Sequence, residues 1–165
     1  MVTTTTTEKR ERIFEQALDD YRNGRLATAT KSMGRLVQEG SRDPSHISYY
    51  GLLLAFTHGR NEQSISLCEE AVEKDGRRSG VLYLNLARAL AAQGRRREAI
   101  VALERGVLIH GTDRRLRREL QHLVPRRTPL IPSLGRRHPV NKCYGFARTL
   151  GGRMLLAITP RPRSA

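Results

Sequence analysis

Apolar residues three and four apart, broken at regular intervals by glycine, organise most of this chain. In LYLNLARALAA the apolar positions return with the period of an α-helix, QGRR interrupts them, and EAIVALERGVLI resumes the same period. The stretch reads as a helical hairpin turning at Gly94. The dipeptides Gly24-Arg25, Gly59-Arg60 and Gly94-Arg95 recur every 35 residues, inside NGRLATAT, HGRNEQSI and QGRRREAI. On that register Ala17, Leu52 and Ala87 coincide, as do Ala29, Ser64 and Ala99, then Met33, Cys68 and Leu103, then Val37, Val72 and Val107. Three hairpins of two amphipathic helices each are therefore predicted. A Gly past the first helix closes its C-terminus in the left-handed conformation without a Cβ penalty. Small residues such as Ala29 and Ala99 let paired helices approach, and Leu86, Leu103 and Val107 fill the space between them. One hairpin cannot bury its own face, so three must stack.

The ends read differently. DRRLRRELQHLV places Leu116, Leu120, Leu123 and Val124 on one stripe, with Arg114, Arg115, Arg117 and Arg118 elsewhere, and Thr112 or Asp113 is positioned to cap its start. This is the polar-faced closing helix that a repeat stack requires, and Pro125 ends it. The proline-rich run PRRTPLIPSLGRRHP over residues 125–139 predicts an extended surface segment. A short helix is expected near 140–150, with Val140, Cys143, Tyr144, Ala147 and Leu150 along one side, stopped by Gly151-Gly152. The expected organisation is a disordered polar N-terminus over 1–9, a repeat domain with its closing helix over 10–124, and a basic Pro/Arg-rich tail over 125–165.

Residues of about 10–113 resemble the tetratricopeptide repeat, above all in the third unit, where Tyr83, Leu86, Ala87, Leu90, Gly94, Ala99 and Leu103 follow that family's order of large, small and apolar positions. Gly106 departs from its usual Ala, Gly111 stands where Pro is common, and Gly51 lies one place early in the second unit. The resemblance implies an all-α fold, a right-handed superhelix of three hairpins with a C-terminal capping helix and basic tail. It also implies a concave surface, lined by the first helix of each unit, that receives a peptide or helical segment of another protein. Carried onto this chain, that surface takes Phe14, Leu18 and Tyr21, then Tyr49, Tyr50, Leu53 and Phe56, then Leu84, Asn85 and Arg88. The competing reading is that these side chains simply pack between helices. Some members of the family hold a peptide's terminal carboxylate in a clamp of basic and Asn side chains. Asn85 and Arg88 suit such a clamp, but Phe14, Leu18, Tyr50 and Leu53 occupy its other places, and an apolar groove favours an amphipathic or apolar segment instead. The function expected is a protein–protein interaction module, an adaptor, scaffold or assembly factor.

Charge adds a second reading. Residues 1–111 carry 17 Lys or Arg against 14 Asp or Glu, whereas residues 112–165 carry 13 against 2. The alternative is thus an anionic-surface binder, docking RNA or a membrane through Arg126, Arg127, Arg136, Arg137, Lys142 and Arg148. Only Tyr144 and Phe146 interleave with those charges, which is thin for base stacking. The apolar residues between Leu130 and Leu156 also suit folding back into the groove, and exposed repeat faces suit self-association. The five histidines are scattered, Cys68 and Cys143 read as free thiols, and no phosphate-binding or metal-ligand spacing occurs, so neither an enzyme nor a cofactor is expected. No apolar run reaches the roughly 18 residues of a membrane span, and the Thr-rich start lacks a signal's apolar centre, which predicts a cytoplasmic protein.

Overall fold

The computed structural model describes residues 2–59 and 61–124, with side chains from Thr7 onward. They form helices α1 (Val2–Arg22), α2 (Leu26–Gln38), α3 (Pro44–Thr57), α4 (Glu62–Asp75), α5 (Gly80–Ala92), α6 (Arg96–Ile109) and α7 (Arg114–Leu123). No strand occurs among the described residues. The helices belong to one compact unit, Met1–Val124. The six tail residues expected to bind anions and the helix expected near 140–150 lie outside the described residues.

The three glycines of the repeat do what the sequence requires of them. Gly24, Gly59 and Gly94 have φ of 76°, 67° and 81°, at the hinges α1/α2, α3/α4 and α5/α6. The residue after the turn reaches back over it, so that the Arg25 N–H donates to the Asp20 carbonyl at 2.8 Å and the Arg95 N–H to the Leu90 carbonyl at 2.9 Å. Carbonyls otherwise orphaned at the helix end are thereby satisfied. At the opposite ends Asp43, Asn61 and Asp113 accept from the backbone N–H of Ser45, Gln63 and Arg115 at 2.7, 2.9 and 2.8 Å. Each is an N-cap of the type worth about 1 kcal/mol.

Burial follows the 35-residue register. Ala17, Leu52 and Ala87, Ala29, Ser64 and Ala99, and Met33, Cys68 and Leu103 are all 0 % exposed. The second unit reverses the order of sizes at one place. Leu52 is large where Ala17 and Ala87 are small, and the adjacent Gly51 makes the room, since a Cβ there would stand 2.6 Å from the Ser64 carbonyl oxygen. Gly106 has a similar cause: a Cβ would meet that of Tyr83 at 2.8 Å, so a large ring on α5 requires no side chain on α6. Polar groups inside are paired. The Gln93 amide donates to the Asn61 carbonyl at 2.8 Å and to Ser64 Oγ at 2.6 Å, and the Asn85 amide donates to Ser48 Oγ at 3.1 Å.

One boundary differs from expectation. Residues 2–9, expected to be disordered, continue α1 toward the N-terminus. Once a helix is nucleated each further residue adds a hydrogen bond, and the modest propensity cost of Thr does not prevent extension.

Candidate partner-binding face

Within the helical unit α3 packs on α5 and α5 on α7, while α2 and α4, and α4 and α6, make little or no close backbone contact. Helices that close up on one side and part on the other form a curved double layer. The first helices of the hairpins line its inner side.

At the α1–α3 end of this face, aromatic rings do the packing. The backbones of α1 and α3 do not approach closely, and the gap is spanned by Phe14 and Tyr49 at 5.7 Å between ring centroids, Tyr21 and Tyr49 at 6.3 Å, and Tyr21 and Phe56 at 6.4 Å. His46 adds a contact with Phe14 at 4.4 Å. Edge and offset contacts of this kind suit the ring quadrupole. Phe14, Tyr21 and Tyr49 remain half-buried, and Phe56 is 39 % exposed. Burial pushes the Tyr49 phenol pKa up, with the neighbouring Tyr21 adding to it.

At the α5–α7 end the face turns polar. Arg88 donates to Glu119 at 3.0 Å, with both side chains partly exposed. Burial works against the Arg88 charge, but the Glu119 hydrogen bond and charge outweigh it and raise its pKa above the ordinary arginine value. The Arg88 charge opposes the rise in the Tyr49 phenol pKa.

Of the ten residues expected on this face, the structure brings together Phe14, Tyr21, Tyr49, Phe56 and Arg88. Leu18 is half-buried against the Ala17, Met33 and Leu36 cluster. Three are corrected outright: Leu53, Leu84 and Asn85 are 0 %, 5 % and 1 % exposed. Leu53 fills the first hairpin's core beside Ala29 and Met33, Leu84 joins the larger core, and Asn85 spends its amide on Ser48. Tyr50 is a fourth correction, because it lies against Gly34 of α2, on the side of the preceding hairpin. A first helix in a stack meets its own partner, the preceding hairpin and the following one, and only the narrow phase left over stays open. Glu119 was missed. The register offered a signal, since Phe14, Tyr49, Leu84 and Glu119 are successive members of one 35-residue series.

Cys68, the one free cysteine among the described residues, is buried and its thiol is pushed up to about 12 by desolvation, so it is an inert core residue. No group of three or more His, Cys, Asp or Glu able to hold a metal occurs among the described residues. Nor does any described helix have the length and apolarity to cross a membrane.

Residues 55–121 match the model of the tetratricopeptide repeat family. Among solved structures the chain is similar to the Sgt2 TPR domain from Aspergillus fumigatus, at 12 % identity and a TM-score of 0.59, covering 95 % of this chain and 89 % of that one. It is similar to the Arabidopsis OM64 TPR domain, at 14 % identity and a TM-score of 0.57, covering 70 % of this chain and 94 % of that one. The TPR2B domain of yeast Sti1, solved in complex with pHsp70, gives 19 % identity and a TM-score of 0.57, covering 70 % of this chain and 93 % of that one. No curated protein matches the sequence. With the glycine-hinged hairpins, the shared register of burial and these likenesses together, residues 55–121 match the tetratricopeptide repeat family and the described residues have the all-α fold of its domains.

Proposed function

We propose that this protein is an interaction module that holds a peptide or helical segment of a partner protein on its inner face. One observation carries the reading: Phe14, Tyr21, Tyr49 and Phe56 form a continuous set of rings that is left partly open. Large aromatic rings offer much contact area at low entropy cost, and such residues dominate binding energies at interfaces. The pHsp70 complex of the Sti1 domain supports a protein partner for this fold. Recognition here rests on the rings more than on a terminal carboxylate. Asn85 is buried against Ser48 and Arg88 is already paired with Glu119, so neither is free to clamp an anion.

The test uses the full chain as bait in native lysate, at low and high salt and with nuclease. Phe56→Asp changes an exposed ring, whereas an Asp at the fully buried Leu53 would report on folding instead. Tyr49→Ala supplies a second variant. The expected result is a protein retained at both salts and lost on Phe56→Asp and on Tyr49→Ala, with each variant's thermal unfolding showing that it is folded. Unchanged capture by folded variants would reject the inner face as the site. Capture that needs residues 125–165 and vanishes with salt or nuclease would replace this reading with an anion-directed one.

A further inference from the structure

On the opposite side of the stack, α4 and α6 stand apart over the outer surface of α5, leaving a hollow of about 460 Å³. Its apolar lining includes Val72 on α4, Leu86 and Leu90 on α5, and Val101 on α6. The volume lies within the range of clefts that take ligands. Val101 is 47 % exposed, and Leu108, two turns further along the same helix, is 86 % exposed. Glu104 and Arg105 separate the two on that face.

The charge around this trough is set by α4. That helix carries Glu62, Glu69, Glu70, Glu73 and Asp75 against Lys74 alone. Three of the carboxylates are taken, Glu62 by Arg95, Glu70 by Lys74 and Asp75 by Arg78. The remaining two, Glu69 and Glu73, line the trough and make no ion pair among the described residues. They are four residues apart on one helix face, a like-charge spacing that disfavours the helix unless a cation lies near it. Glu98 on the far wall pairs at 2.6 Å with the same Arg95 that holds Glu62, so one guanidinium serves two carboxylates, and Arg105 stands beyond it. The net result is an anionic α4 wall facing an apolar floor, on a chain whose formal charge is +14.

We infer that this outer groove is a second docking site, whose occupant is a segment of a partner protein that carries arginine or lysine among apolar residues. The aliphatic stem of such a side chain packs along Val72 and Val101 while its charged head reaches Glu69 and Glu73. An acidic segment would leave those two carboxylates repelled and desolvated. Arg105 on the other wall orients the occupant, with its basic side toward α4. The surface shares no residue with the aromatic inner face, so the two sites are separable by mutation.

The probe is a fluorescein-labelled synthetic helix of alternating arginine and leucine turns, titrated against the full chain by anisotropy, with a glutamate–leucine counterpart in parallel. The expected result is saturable binding of the arginine peptide alone. Glu69→Lys with Glu73→Lys should weaken it at least tenfold, and Val101→Asp by a similar factor. Glu8→Lys with Glu15→Lys, which changes net charge equally at exposed positions of α1, should leave it within twofold. Thermal unfolding establishes that each variant is folded. Equal binding of the glutamate peptide overturns the inference. So does a groove double variant no weaker than the α1 control, or a folded Val101→Asp that binds normally, since either would mean diffuse charge attraction. Loss of the arginine peptide on Phe56→Asp would move its site to the inner face and also overturn the inference, while leaving the inner-face proposal standing.

Discussion

Replacing Gly51 by Ala tests a close approach of α3 to α4. Helix propensity by itself favours the change by about 1 kcal/mol, because Gly in a helix interior loses more backbone freedom on folding. Packing opposes it. The new Cβ would stand 2.6 Å from the Ser64 carbonyl oxygen, 2.8 Å from Cys68 Sγ and 3.2 Å from the Cys68 amide nitrogen. Two of these are backbone atoms of α4, so no side-chain rotation relieves the clash and the helices must part. Overpacking of this kind costs roughly 1–3 kcal/mol, and backbone displacement belongs at the upper end of that range. The expected net effect is a destabilisation of about 1–2 kcal/mol. Urea unfolding followed by far-UV circular dichroism measures it, with Gly111→Ala as the reference, because a Cβ there meets nothing nearer than the Val107 carbonyl at 3.6 Å. Gly111→Ala should be neutral or stabilising by a few tenths of a kcal/mol, through the unfolded chain. A Gly51→Ala protein as stable as the Gly111→Ala protein would refute the packing argument.

The hydrogen bond from Asn85 to Ser48 joins α3 to α5 in the interior, and a double-mutant cycle with Asn85→Ala and Ser48→Ala should give a coupling of roughly 0.5–1.5 kcal/mol in urea unfolding; a coupling near zero would mean that the two side chains act independently. His46 is 4 % exposed, lies on the Phe14 ring, and has its Nδ1 2.7 Å from Ser41 Oγ. Burial lowers its pKa below the usual 6.5, the carboxylates of Asp43 and Glu11 oppose that shift, and Arg10 adds to it. Between the folded and unfolded values the unfolded chain binds more protons, so stability should fall as pH drops through about 6.5 and level off once the folded value is passed. Comparing urea midpoints at several pH values for the native chain and His46→Gln checks this, and an identical pH dependence in the two would show that His46 is not the group responsible.

The repeat was legible because its signals are local and chemical. A glycine every 35 residues needs only a turn to explain it, and Gly24, Gly59 and Gly94 occupy the positive φ that the turn demands. Small and apolar residues in register needed only a period, and nine of them are fully buried. The inner face was legible only in part. Periodicity gives the phase of a side chain around its helix, but Leu53, Leu84 and Asn85 share a helix with the open residues and differ in which neighbouring hairpin meets that phase. Tyr50 went astray for the same reason, since its pairing with Gly34 depends on how the preceding hairpin sits. Glu119 required following the register past the last glycine. The outer groove had no signature in sequence, because its walls come from two helices that make little or no close backbone contact with one another.

The two seams along the inner face are built from different materials. Between α3 and α5 the backbones are close and the Ser48 and Asn85 side chains are fastened across the interface, so a small sliding movement there breaks a directional bond. Between α1 and α3 the contact is ring against ring, and such contacts tolerate several offsets at little cost. The ring seam can therefore shift by small offsets of α1 alone, because α2 holds the first hairpin to α3 through the buried Leu53 and through Tyr50 against Gly34.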